Sequence, residues 1–168
     1  MSRLPSLPPP EPFPTDASSA FYRYSQSLQL IMMDFQYIEE ALRTCLVRAY
    51  ALIHLRMKPM LTFKPPFDAL EKDALGRLIM RFDQVSDDDA LVKDLKELQP
   101  FRNRCAHRGM LLSSEEQKDV GFLAKETEAI EAKRRLAIAC LNRIFDEWER
   151  LERVLDGGNS DTSRTQPR

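Results

Sequence analysis

Apolar residues recur along the central part of the chain at alternating intervals of three and four, which is the period of an amphipathic α-helix. The longest such run extends from Phe21 to Leu52. Residues 16–19 offer good N-cap chemistry, and Pro59 cannot continue a helix because it lacks the backbone N–H. The pattern therefore predicts one long helix that begins near Asp16 and ends before Pro59.

Two further helices are predicted after a proline-rich loop. Asp68 can cap a shorter helix over residues 68–82, which carries apolar residues at helical spacing. The acidic cluster at residues 86–89 is predicted to open a third helix, because carboxylates complement the positive end of the helix dipole. This third helix is expected to pass Pro100 and to continue to about Leu112.

A fourth, long helix completes the pattern. Ser113 and Glu116 match the capping box that opens a helix, and residues 156–159, with two glycines, are predicted to stop it. Its apolar stripe is interrupted only by Arg134. Because no alternating strand pattern of useful length occurs, we predict an all-α fold, an up-down four-helix bundle.

The two ends of the chain differ in composition from this helical part. Six of the 11 prolines lie within the first 14 residues, so residues 1–14 are predicted to be a disordered, extended arm. The arm is either a ligand for an aromatic groove or, as we favour, a flexible tail. Residues 156–168 are polar and are predicted to be a disordered tail. A single domain is thus expected over residues 15–155.

Charge and composition narrow the classes of function. The chain has 25 Lys and Arg against 26 Asp and Glu, a net charge of -1, and 43% hydrophobic residues. This composition is typical of a globular chain and excludes wholesale disorder. Since the overall charge does not attract nucleic acid, any contact with RNA must come from a local cluster of basic residues.

The cysteines and the hydrophobic segments predict the compartment. Three scattered cysteines, each in an apolar helical pattern, are typical of reduced core thiols. No apolar run is long enough for a signal peptide or a membrane span, so we expect a cytoplasmic protein without membrane contact.

One segment, residues 98–109, brings a histidine, an amide and several guanidinium groups together. Arginine side chains suit phosphate oxygens, and histidine is the side-chain type that exchanges protons near neutral pH. RNA carries its own nucleophile, the ribose 2′-OH, so an enzyme that cuts it must only move protons and stabilise charge. The cluster therefore indicates metal-independent phosphodiester cleavage. Its candidate residues are Arg102, Asn103, Arg104, His107 and Arg108.

Helical spacing separates these side chains. Asn103 and His107 lie four residues apart and share one side of the helix, opposite the apolar stripe. Arg102 lies about 140° around the helix from His107 at 3.6 residues per turn. The two groups can meet only if Pro100 re-aims the helix or if another subunit contributes. We therefore expect a homodimer that juxtaposes the motif helices.

The segment Arg102-Asn103-Arg104-Cys105-Ala106-His107 resembles the motif of the HEPN domain family, which is Arg, a polar residue, three further residues and His. The resemblance implies a helical bundle that dimerises through the motif helix. In active members it implies a metal-independent endoribonuclease, without cofactor, that leaves a 2′,3′-cyclic phosphate. By this resemblance, His107 is the general acid/base, Arg102 stabilises the phosphate, and Asn103 orients the other two side chains. It also implies a toxin or antiviral-defence role, with a nucleotidyltransferase-like antitoxin as a separate chain.

Several alternatives stay open. Many proteins that resemble this family bind a nucleotide or a protein without cutting RNA, so a non-catalytic module is the main competitor. Arg104 and Arg108 either bind RNA phosphates or belong to a solvated face. Glu39 or Glu40 could hold Arg102 in place, or the two are an exposed acid pair.

A thiol nucleophile or a zinc site built on Cys105 and His107 is disfavoured. Residues two apart on a helix point away from each other, and the chain offers only one other histidine, His54. We therefore predict no metal ligands.

Overall fold

The structure is a computed structural model that describes residues 5, 7, 9, 11–60, 62–108 and 111–159, without the side chains of residues 108 and 157–159. These residues form five α-helices and one 3-10 turn and contain no strand, so the all-α prediction is confirmed. The helices are α1 (Ala17–Met57), α2 (Phe67–Lys72), α3 (Leu75–Phe82), α4 (Asp89–Arg108) and α5 (Val120–Asn159), and the turn is Glu116–Lys118.

The two long helices, α1 and α5, form the frame of the molecule. They contain 41 and 40 residues and pack mainly against each other. At a rise of 1.5 Å per residue, each is about 60 Å long. Helix α4 packs against both, and α3 packs between α1 and α4. The up-down arrangement of four helices stays a prediction, because the described residues form five.

The predicted second helix, over residues 68–82, is wrong as a single element. The chain is extended at Asp73, whose ψ is 127°, so the segment forms the separate helices α2 and α3. The buried Asp73 carboxylate pairs with Arg77 at 3.2 Å and Arg81 at 2.6 Å, both on α3. Arg43 donates to the carbonyl oxygens of Leu70 and Asp73 at 3.2 and 3.3 Å. These bonds satisfy groups that a helix end leaves free, so they stabilise the break.

The predicted bounds of α4 are confirmed at its N-terminus but not at its C-terminus. The backbone N–H of Leu91 donates to Asp88 Oδ1 at 3.0 Å, so the acidic cluster caps the helix as predicted. At the other end α4 stops at Arg108, and the predicted continuation to Leu112 is wrong. Leu112 lies in the following loop, where its carbonyl oxygen accepts a hydrogen bond from Gln117 Nε2 at 2.9 Å.

The capping box forms, but it does not begin the last helix. Ser113 N–H donates to Glu116 Oε2 at 2.7 Å, and Glu116 N–H donates to Ser113 Oγ at 3.2 Å. This pair closes the 3-10 turn. Helix α5 begins later, where Asp119 Oδ1 accepts from the Phe122 N–H at 3.0 Å. The prediction that residues 113–116 open the fourth helix is therefore wrong by nearly two helical turns, because Asp119 rather than Ser113 caps α5.

The predicted helix stop at residues 156–159 is also wrong. Helix α5 continues to Asn159. A glycine that ends a helix takes a positive φ, and none of the described glycines does. Residues 160–168, the rest of the predicted tail, lie outside the described residues.

The described end of the proline-rich arm is anchored to the fold. Arg23 Nη1 donates to the Pro12 carbonyl oxygen at 2.7 Å, and its guanidinium carbon lies 5.4 Å from the Phe13 ring centroid. Phe13 packs against the hydrophobic core. The predicted domain start at residue 15 therefore leaves out one core contact. Residues 1–4, 6, 8 and 10 of the arm lie outside the described residues.

An ion pair between the long helices explains the one charged residue in the stripe of α5. Arg134 Nε lies 2.9 Å from Asp34 Oδ2 on α1, and each of the two side chains is only 12% exposed. A charge at this depth is tolerated because it meets the opposite charge. The interruption at Arg134 is thus a specific contact between α1 and α5.

Candidate active site

One exposed stripe runs along the outside of α4. Its members follow one another at intervals of three and four residues, so they share a helix face, and every one of them is exposed: Lys93, Lys96, Pro100, Asn103 and His107. We call these five residues the outward stripe. Lys96 Nζ lies 2.8 Å from Asp83 Oδ2, and Lys93 adds a second cation. His107 is thus a solvent-accessible imidazole on the helix face that carries these two lysines.

Arg102 takes a different position, at the contact between α4 and α1. Its side chain is 29% exposed, and Nη2 donates to Glu39 Oε1 at 3.3 Å. The other oxygen of that carboxylate lies 3.5 Å from Arg43 Nη2. The Nε atom of Arg102 is buried without a hydrogen-bond partner among the described residues. The guanidinium is thus held on the core side of α4 by an acid from α1.

Arg102 and His107 do not meet within one chain. Helix α4 stays helical through Pro100, so helix geometry keeps the two side chains about 140° apart. Among the described residues, no contact joins the side chains of Arg102 and His107. Of the two routes by which they could meet, re-aiming by Pro100 thus gains no support.

The two acids proposed as supports for the motif have different surroundings. Glu39 contacts Arg102, as described above. Glu40 is exposed and pairs with Arg43 at 3.2 Å, within its own helix. Only Glu39 of the two is placed to position the motif arginine.

Two cavities lie on opposite sides of α4 beside the motif. The first, of about 410 Å³, lies between α3 and α4. We call it the α3–α4 groove, and its lining includes Gly76, Arg77, Met80, Gln99, Arg102 and Asn103. The sequence interpretation missed its α3 wall. The only available signal was a glycine within an otherwise helical segment.

The second cavity, of about 460 Å³, lies on the Arg104 side of α4. The guanidinium carbon of Arg104 lies 4.7 Å from the centroid of the Phe101 ring, a cation–π contact. Glu116 and Glu126 also line this cavity, so its charged groups sum to a negative value. Arg108, the other predicted RNA-binding residue, ends α4, and its side chain lies outside the described part of the structure.

The thiol within the motif, that of Cys105, is kept neutral. Cys105 is buried, and burial raises the pKa of its thiol to about 11. Burial likewise raises the pKa values of Cys45 and Cys140 to about 12. A protonated, buried thiol is a poor nucleophile and a poor metal ligand. Within the described ranges, no group of three or more His, Cys, Asp or Glu side chains is placed to hold a metal ion.

Comparisons with known proteins do not assign the chain to a family. No protein-family model, curated protein or solved structure matches it. The resemblance to the HEPN family thus rests on the six residues of the motif and on the helical fold. None of the described helices is both long enough and apolar enough to span a membrane.

Proposed function

We propose that this protein is a metal-independent endoribonuclease of the HEPN type, with His107 as its general acid/base. The observation that carries the proposal is the placement of the motif on α4. His107 is exposed on the outward stripe, and Arg102 is fixed by Glu39 beside an open groove. A proton-transfer group and a phosphate-binding group are thus available around one helix.

The chemistry needs only groups that the chain supplies. The ribose 2′-oxygen attacks the adjacent phosphorus and gives its proton to His107, which acts as the base. The bond from phosphorus to the 5′-oxygen breaks, and that oxygen receives a proton from the same imidazole, which now acts as the acid. The products are a 2′,3′-cyclic phosphate and a 5′-hydroxyl end. Arg102 stabilises the negative charge on the phosphoryl oxygens, and Asn103, one turn before His107, orients the reacting groups.

The separation of Arg102 and His107 supports a site built from two protomers. A two-fold axis that brings the α4 helices together would place His107 of one protomer near Arg102 of its partner. The dimer then contains two such composite sites and two histidines. Within this proposal, a single protomer is inactive because neither site is complete.

Cations around the motif would hold the RNA backbone. Lys93 and Lys96 precede His107 along the outward stripe, and Arg104 adds an exposed guanidinium next to it. Since these are few and the net charge of the chain is -1, binding depends on a small number of phosphate contacts. The motif resemblance also suggests a toxin or antiviral-defence role, with a separate nucleotidyltransferase-like antitoxin. We propose the cytoplasm as the compartment, on the pattern of the three cysteines.

Product analysis tests this function. Purified protein is incubated with end-labelled RNA in excess EDTA, and the new ends are identified. We expect cleavage in EDTA, products that carry 2′,3′-cyclic phosphate, and no cut wherever the upstream nucleotide is a deoxynucleotide. Intact RNA under all conditions, or 5′-phosphate products, would show that the proposed chemistry is wrong.

A non-catalytic module that binds a nucleotide is the second candidate. It is favoured by the contact between Arg102 and Glu39, because this bond satisfies part of the arginine without any substrate. In this case a nucleoside monophosphate binds beside Arg102 while RNA stays intact. A titration with the nucleotide, run beside the cleavage assay, separates the two candidates.

A further inference from the structure

The α3–α4 groove has the size and position of a ligand site next to the motif. Its volume of about 410 Å³ lies within the range of small-molecule sites in proteins. Two of its lining residues, Arg102 and Asn103, belong to the motif itself. Whatever occupies the groove therefore lies next to the proposed phosphate position.

Gly76 lets the side chain of Gln99 lie against the backbone of α3. A Cβ atom added at Gly76 would lie 2.5 Å from Gln99 Nε2 and 3.1 Å from its Cδ. Such a short approach is impossible for a real side chain, so any other residue here would displace the amide. Because glycine lowers helix stability, its presence near the start of α3 is explained by this close contact.

The groups in the groove match the chemistry of a nucleobase. Gln99 and Asn103 each offer one amide donor group and one acceptor oxygen, the pattern with which proteins recognise base edges. Met80 is 59% exposed and provides an apolar surface for the face of a ring. Arg77 and Arg102 add two guanidinium groups, which suit the attached phosphate. Each is paired with a carboxylate, but each of these carboxylates is shared with a second arginine, so positive charge remains.

The cavity on the other side of α4 fits an RNA chain less well. It contains Glu116 and Glu126 beside a single cation, Arg104, so its charge opposes a phosphate. The charges of the lining residues therefore favour the α3–α4 groove over the second cavity as a binding site for RNA.

We propose that the α3–α4 groove is a nucleobase subsite, which binds the base next to the cleaved phosphate and gives the protein a base preference through Gln99. This inference rests on the proposed function and extends it from RNA in general to RNA of a particular base at the cut.

Binding of RNA that cannot be cleaved tests the subsite. Four fluorescent homopolymer hexamers, in A, C, G and U, carry 2′-fluoro groups in place of the 2′-OH, and their affinities are measured by anisotropy. We expect one base to bind about 5- to 150-fold more tightly than the weakest, the range of a well-placed amide contact. Gln99→Leu keeps the size of the side chain and is expected to make the four affinities nearly equal.

Two further variants complete the test. Gly76→Ala displaces the Gln99 amide and is therefore expected to weaken the base preference, as Gln99→Leu does. Gln36→Leu removes an exposed amide from α1 and is expected to leave the preference unchanged. Circular dichroism of each variant confirms that it is folded.

The outcomes separate this inference from the proposed function. Equal affinities for all four hexamers in the unaltered protein, or a preference that survives Gln99→Leu, overturn the subsite even if the protein cuts RNA. If the unaltered protein prefers one base and Gln99→Leu abolishes this preference, the subsite is supported even if ordinary RNA stays intact. No binding to any hexamer overturns the subsite as well as the RNA substrate.

Discussion

Replacing His107 with alanine is expected to lower the rate of RNA cleavage by about 10²- to 10⁴-fold. In the proposed mechanism the imidazole accepts the 2′-OH proton and supplies the proton of the leaving 5′-oxygen. No other residue of the outward stripe exchanges protons near neutral pH, because its remaining members are two lysines, a proline and an asparagine. The measurement is the initial rate on labelled RNA for both proteins at equal concentration.

The other histidine of the chain provides a matched control. His54 lies near the end of α1, where its Nδ1 is 2.9 Å from the Phe63 carbonyl oxygen. His54→Asn is expected to keep the cleavage rate of the unaltered protein. Because His107 is exposed, His107→Ala should also unfold at the same urea concentration as the unaltered protein. If His107→Ala cleaves RNA as fast as the unaltered protein, His107 is not the acid/base.

Replacing Arg134 with methionine is expected to lower the free energy of unfolding by about 3–5 kcal/mol. The change leaves the Asp34 carboxylate without its partner between α1 and α5, where it is only 12% exposed. A charge that loses both water and its counter-ion is strongly destabilising, and an effect of this size is a large part of the stability of a typical domain. Equilibrium unfolding in urea gives the value.

Two controls test whether the stability loss comes from the burial of this ion pair or from the loss of any charged residue. The double variant Asp34→Leu with Arg134→Met removes both charges and is expected to be at least as stable as the unaltered protein. Arg150→Met breaks a more exposed pair with Glu147 on α5 and should cost less than about 1 kcal/mol. A stability loss for Arg134→Met no greater than that for Arg150→Met would contradict a buried pair.

The sequence predicted the helical parts of the fold where apolar spacing and caps agree. Helix α1 begins after Asp16, whose Oδ1 accepts from the Ser19 N–H at 2.8 Å, and it ends before Pro59. The same reasoning failed at Asp73, because the break there depends on Arg43 from a different helix. Apolar periodicity contains no information about such long-range polar contacts, so the split into α2 and α3 was not visible.

The candidate site was predictable in part, for the same reason. Positions within one helix determine which side chains share a face, and so the outward placement of Asn103 and His107 followed from their spacing. The partner of Arg102 lies 63 positions away along the chain, at Glu39, and spacing could not choose between that residue and Glu40. The groove beside Asn103 depends on the packing of α3 against α4, which the sequence interpretation had no means to place.

The most direct test of a site shared between two protomers is to mix two inactive variants. Arg102→Ala and His107→Ala are purified separately, shown to cleave RNA at least about 100-fold more slowly than the unaltered protein, and then mixed under conditions that allow subunits to exchange. A mixed dimer has one site that lacks both groups and one site that retains both, so random exchange is expected to restore about a quarter of the unaltered activity. If the unaltered protein cleaves RNA and the mixture does not, the two groups do not act together across protomers.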